Sequence, residues 1–245
     1  MFNAKPYYEV NREERNYCAL FAHALLSSSD CRERACVVIR RRTGVALDPH
    51  HLEVYLEVAA LRDYWNDLGD PQRYDEETHR RRRAVLDAIL SFSSTDTGVI
   101  DREPLFWTNG VGSKLWSPAR WDLHALDSAS LPHLKEVRMA FNAKPDILLM
   151  SPTSAVVLEA KVESGEGRNE AVGYAQIKTQ KLIVDLWKKL IPIFQPLHVV
   201  LATLKLRRAS ELDLEWADVL EMVDSSGVDA FTKTALGRLA RAPGA

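Results

Sequence analysis

The chain has 245 residues, 46% of them hydrophobic and 27% charged, which is ordinary for a globular protein able to bury a sizeable core as one compact domain. A formal net charge of -2 excludes a global basic field, so any surface for nucleic acid has to be a local patch. Cys18, Cys31 and Cys36 form no CxxC pair, the opening MFNAKPYYEVNREER is too charged for a signal peptide, and no apolar run reaches the roughly 18 residues of a membrane span, so a soluble cytoplasmic protein with no membrane partner is expected.

In chain order, a first helix is expected over 11–28. Tyr17, Cys18, Leu20, Phe21, Ala24 and Leu25 recur at three- and four-residue spacing behind Asn11, a plausible N-cap. Ser27 to Ser29 break the pattern, and Ala35 to Ile39 reads as a short strand or helix turn before Arg40-Arg41-Arg42. Helices are expected over 50–68 and 75–92. The stretch 93–132 is rich in Ser, Asp, Gly and Pro and reads as irregular. Leu134–Phe141, Asp146–Met150 and Ala155–Glu163 read as three short strands, the last two joined by the turn Ser151-Pro152-Thr153-Ser154. A helix follows from about Glu170 to Leu190, then a strand from His198 to Leu204 and a helical region from near Leu214. The expected organisation is a single domain: an N-terminal helix 11–28, a helical or irregular insertion 30–133, a core 134–204 and a C-terminal helical region 205–245. The fold class is α/β with a mixed central sheet of about four strands flanked by helices.

The chemistry concentrates in Lys144-Pro145-Asp146-Ile147-Leu148-Leu149 and Val156-Val157-Leu158-Glu159-Ala160-Lys161. Side chains alternate faces along a strand, so Glu159, Lys161 and Glu163 share one face while Leu158, Ala160 and Val162 share the other. A tight hairpin puts Asp146 across from the far end of the next strand, and two carboxylates and a lysine converge at one end of the sheet. Carboxylate oxygens suit hard cations such as Mg²⁺. A metal held there polarises a phosphate and neutralises developing charge, and a lysine beside it orients the attacking water, helps deprotonate it or stabilises the phosphate oxygens.

Pro145-Asp146, twelve residues, then Glu159-Ala160-Lys161 resembles the PD-(D/E)xK nuclease superfamily, the restriction-endonuclease-like fold, over about residues 134–204 and the first helix. The resemblance implies a restriction-endonuclease-like core and a Mg²⁺- or Mn²⁺-dependent nuclease. Asp146 and Glu159 would ligate the metal with help from the Ala160 carbonyl, and Lys161 would position the nucleophilic water. It also implies a Glu on the preceding helix reaching the metal. Glu14 lies nearest the centre of that helix's apolar face and is favoured, with Glu13 close behind; either is equally explained as an acid at a helix N-terminus. Several branches carry a Gln or Lys on the helix after the ExK strand, which brings in Gln176 as a catalytic candidate and Lys178, Gln180 and Lys181 as substrate-binding ones. An ordinary polar helix face accounts for them as well.

Most of the superfamily cuts DNA, so DNA is favoured over RNA by resemblance alone, as are a homodimer, a targeting partner protein and a role in bacterial antiviral defence. The alternatives are an RNA-cleaving effector with the same site and a non-catalytic binding or scaffold subunit retaining the fold. Arg80 to Arg83 spread around a helix and read as solvated charge. Trp107, Trp116 and Trp121 read as packing residues.

Overall fold

The computed structural model describes residues 14–69, 76–92, 98, 118–122, 124, 132–162, 168–169, 174–206 and 213–240. The chain divides into two compact units, one from Met1–Val58, Pro145–Ile177 and Pro196–Ala245, the other from Ala59–Lys144 and Lys178–Gln195.

The first unit is built on an open five-stranded sheet in the order β1-β2-β3-β6-β7. Its strands are β1 (Glu53–Leu56), β2 (Ile147–Met150), β3 (Ser154–Ala160), β6 (His198–Lys205) and β7 (Leu214–Glu215). β1, β2 and β3 pair antiparallel, while β3, β6 and β7 run parallel, so the protein is α/β with a mixed sheet. Every residue of β2 and β3 is buried, which explains why both read as near-continuous apolar runs. On one face, Ile147, Leu149, Val156, Leu158, Ala160, Ala202, Leu204 and Leu214 join a single core. Four helices contribute to it: α1 (Glu14–Ser27), α2 (Ser29–Thr43), α7 (Trp216–Val223) and α8 (Ala230–Ala240). Cys18, Cys31 and Cys36 are free thiols and sit in this core as small apolar side chains.

The two short segments between Ser27 and Gly44 resolve into one helix. Ser28 caps α2 by accepting from the Cys31 amide at 3.1 Å, and Gly44, at φ 74°, closes it in the left-handed conformation that glycine adopts without strain. Ala35 to Ile39 is therefore helix interior. Arg42 and Arg41 of the basic run are paired, with Asp218 and Glu221 of α7.

Three expectations fail in the same way. The expected helix 50–68 is instead a 3-10 turn (Pro49–His51), edge strand β1, and a short helix α3 (Ala60–Asp67). Val54 and Tyr55 suit a strand, and the open edge of β2 offered a ladder of backbone hydrogen bonds that local periodicity cannot register. The expected strand Leu134–Phe141 is helix α5 (Pro132–Asn142), with Leu134, Val137, Ala140 and Phe141 buried along one face and proline in the first helical position. The helix expected from Glu170 begins only at Gln176, after a two-stranded sheet of β4 (Arg168–Asn169) and β5 (Tyr174–Ala175). The boundaries shift accordingly: residues 29–58 belong to the unit that carries the sheet, and residues 134–144 to the other.

In the second unit, α4 (Glu76–Phe92) matches the expected helix 75–92. It packs with α3 and α5 through Trp65, which meets Phe141 edge-on at 5.1 Å between ring centroids and carries the buried Arg82 guanidinium over its face. Arg82 donates to the Trp65 carbonyl at 3.1 Å and to that of Gly69. Arg80 and Arg81 pair with Glu77, and Arg83 with Asp87, so the four arginines serve the helix and its packing. Also in the second unit, Trp187 of helix α6 (Gln176–Leu190) stacks on Phe194 at 4.9 Å. Among the described residues no helix is long and apolar enough to cross a membrane.

Candidate active site

The pairing register assembles the site. Ile147 pairs with Leu158 and Leu56 with Ile147, so one step further Asp146 faces Glu159 on one side and Glu57 on the other. The Glu57 amide donates to the Asp146 carbonyl at 3.2 Å, and Asp146 Oδ2 accepts from the Ala160 amide at 2.8 Å. Strand alternation turns Leu158 and Ala160 into the core and Glu159 and Lys161 to the opposite face, as the sequence predicts. Glu163 lies outside the described residues.

Lys161 follows β3 directly, and its amide still donates to the Leu204 carbonyl at 2.7 Å, which continues the parallel ladder. Its Nζ donates to Glu159 Oε1 at 2.9 Å, to the Ala160 carbonyl at 2.7 Å and to Glu14 Oε2 at 3.5 Å. Glu14 Oε1 in turn accepts from the Val162 amide at 3.1 Å. Glu14 therefore reaches the end of β3 from the first turn of α1; Glu13 and Asn11 lie outside the described residues.

Electrostatics follow from taking these charges out of water. Burial first, and then the charge of Asp146, pushes the Glu159 carboxyl up to about 7. Burial also raises Asp146, helped by the nearby Glu14 and Glu57 and opposed by the Ala160 amide and Lys161. Burial pulls Lys161 down, but the hydrogen bond and attraction of Glu159 outweigh it, so the ammonium is held above its ordinary value. Cys18, one turn after Glu14, is kept a neutral thiol by burial and by these carboxylates.

Two further contacts brace the lysine. The buried Trp216 indole donates from Nε1 to the Lys161 carbonyl at 3.2 Å. The peptide between Lys161 and Val162 is thus held at its oxygen by Trp216 and at its nitrogen by Glu14. Trp216 also meets Tyr17 edge-on at 6.0 Å, which ties α7 to α1 behind the same peptide. Trp216→Phe removes the donor and leaves the carbonyl buried, so a stability loss of about 1–3 kcal/mol is expected in urea melts, and a variant as stable as wild type would refute this bracing role.

Beside Asp146 lies a cavity of about 320 Å³ lined by Arg15, Cys18, Leu56, Glu57 and Asp146. Glu57 adopts φ 48°, the only described non-glycine residue in the left-handed region, and its carboxylate takes Arg15 at 2.6 Å. Of the residues proposed on α6, Gln180 lies on the buried face, whereas Lys178 and Lys181 are exposed; Gln176 is the first residue of the helix.

Among the described residues no three His, Cys, Asp or Glu side chains are disposed as a ready-made metal cage. The Lys161 ammonium stands instead as an internal cation, in contact with Glu159, Glu14 and the Ala160 carbonyl. The donors themselves are all hard oxygens, and the raised Glu159 and Asp146 are groups whose charge a divalent cation would stabilise, so the residues fit Mg²⁺ or Mn²⁺ in chemistry. Sequence reasoning missed Glu57 and Trp216 because each is brought in by register or helix packing rather than by spacing along the chain. No protein-family model, no curated protein and no solved structure matches this chain.

Proposed function

We propose that the protein is a metal-dependent nuclease of the PD-(D/E)xK type, with a restriction-endonuclease-like core, which hydrolyses phosphodiester bonds in nucleic acid. The observation that carries this reading is the convergence of Asp146, Glu159 and Lys161, joined by Glu14, at one end of β2 and β3. Asp146, Glu159 and the Ala160 carbonyl are the groups that would hold Mg²⁺ or Mn²⁺, with Glu14 alongside. The bound cation would polarise the phosphate and neutralise the charge that develops on it.

The chain's own groups divide the remaining work. Lys161 keeps its proton, so it serves as a hydrogen-bond donor that orients the attacking water and stabilises phosphate oxygens, rather than as the base. Its Nζ is held by Glu159 and the Ala160 carbonyl, so it is placed before substrate arrives, and the donor on the long 3.5 Å contact to Glu14 is the one that a water or phosphate oxygen would take. DNA is the proposed polymer, and a homodimer or a targeting partner the proposed assembly, both by resemblance.

The test is cleavage of linear DNA, plasmid and RNA with Mg²⁺ or Mn²⁺ by wild type, Asp146→Ala and Lys161→Ala. Cleavage by wild type and its loss in both variants is expected. A wild type that cuts none of the three, or variants that cut normally, would sink the proposal, while cleavage of RNA alone would reassign the polymer.

A further inference from the structure

We infer that Lys205 is a phosphate-binding residue of the same site, gripping a backbone phosphate of the nucleic-acid substrate next to the one attacked. The inference rests on the nuclease reading and adds a group that the motif does not contain.

Register supplies the placement. Ala160 pairs with Leu204 and Leu204 with Leu214, and the Lys161 amide continues the ladder by donating to Leu204. One step on, Lys161 faces Lys205, which pairs with Glu215. Adjacent strands lie roughly 4.8 Å apart, so the two lysines leave the sheet side by side. Both share a face, because Leu204 and Ala160 point into the core on the other. Both stand at the carboxyl ends of the parallel strands, the edge where open α/β sheets present their ligands.

Two residues back, on the same face, the row is Glu57, Asp146, Glu159, Thr203 and Asp213, one residue from each strand or its approach. Asp213 is buried, its Oδ1 accepts from the Thr203 hydroxyl, and its Oδ2 takes the Lys205 ammonium at 3.3 Å. Lys205 itself is about a quarter exposed (26%), so its head group is anchored from below while still reaching solvent. Asp213 is its only hydrogen-bond partner among the described residues, which leaves ammonium donors for a phosphate. Two adjacent lysines of like charge, one enclosed by carboxylates and one at the rim, suit a polyanion that passes the metal-binding carboxylates and continues over β6.

The test is binding of a fluorescein-labelled DNA duplex in Ca²⁺ over a salt series, with inorganic phosphate as a competing probe. Cleavage in Mg²⁺ and the thermal shift induced by Mn²⁺ are measured on the same proteins. Lys205→Met is expected to weaken binding about tenfold for every duplex sequence and to lower the salt slope by about one unit, with the Mn²⁺ shift unchanged. Lys205→Arg should retain both affinity and slope. If Lys205→Met unfolds because the buried Asp213 carboxylate loses its counter-charge, Lys205→Met/Asp213→Asn removes both charges and is read the same way. Wild type that binds and cuts DNA, with affinity and slope unchanged in these variants, would overturn the role of Lys205 alone. Competition by inorganic phosphate as strong as by DNA would mark a free-anion site and overturn it too. Wild type that neither binds nor cuts nucleic acid would take down the nuclease reading and this inference together.

Discussion

Lys161→Met is expected to slow phosphodiester cleavage by at least about 100-fold while leaving a folded protein. Removing one preorganised donor to developing charge typically costs a factor of roughly 100–1,000 in rate. In the proposed site Lys161 would be such a donor; it is fixed by Glu159, Glu14 and the Ala160 carbonyl and braced through its own carbonyl by Trp216. The folded state survives because Glu159 need not remain charged once its partner is gone. Its carboxyl already titrates at about 7, and loss of Lys161 pushes it further up, so near neutral pH it takes a proton instead of standing as a bare buried anion. The destabilisation should therefore be larger at pH 8.5 than at pH 6. Initial rates and thermal melts at the two pH values check this; a rate within threefold of wild type, or an equal loss of Tm at both, would contradict it.

Saturating Mg²⁺ or Mn²⁺ is expected to raise the Tm of wild type by roughly 5–10 °C and that of Asp146→Asn hardly at all. A ligand at a hundred times its Kd stabilises by about 2.7 kcal/mol. In a chain of this size each kcal/mol moves Tm by roughly 2–4 °C. Asparagine still offers an oxygen to the Ala160 amide, so the strand end keeps its hydrogen bond while the charge is lost.

The pH dependence has a definite sign. The folded protein holds a proton on Glu159 up to about 7, whereas an unfolded carboxyl releases it near 4.5. Metal-free stability from this group is therefore fully present below pH 4.5 and declines as pH rises toward 7. Cation binding needs the ionised carboxylate, so the metal-induced shift should grow over the same window. A shift that is flat between pH 5 and 8, or equal in Asp146→Asn, would rule out these carboxylates as the metal site.

The hairpin was legible because its two signals reinforce each other. Alternation along Val156–Lys161 sends Glu159 and Lys161 to one face, and the short turn at Ser151–Ser154 leaves only one register that brings Asp146 to their level. Glu14 was legible for a related reason, since a carboxylate on the apolar face of a helix needs a partner. Its partners include Lys161 and the Val162 amide. The elements read wrongly, 50–68 and 134–141, are short apolar segments whose spacing serves helix and strand about equally well. Their state was settled by what stood beside them: β2 presented an open edge to Glu53–Leu56, and Pro132–Asn142 buried one face in a helical cluster.

The sequence by itself determined which side chains meet at the end of β3, because strand periodicity and a tight turn are local properties that admit few alternatives. Tertiary structure alone decided what surrounds it. Glu57 arrives from an edge strand nearly a hundred residues upstream, Trp216 from a helix packed behind the sheet, Lys205 from a parallel strand reached by a long crossover after β3, and Asp213 from the approach to β7 beside it. Such neighbours are set by pairing between segments far apart in the chain, where burial and backbone hydrogen bonding outweigh local propensity and no spacing in the sequence records the register.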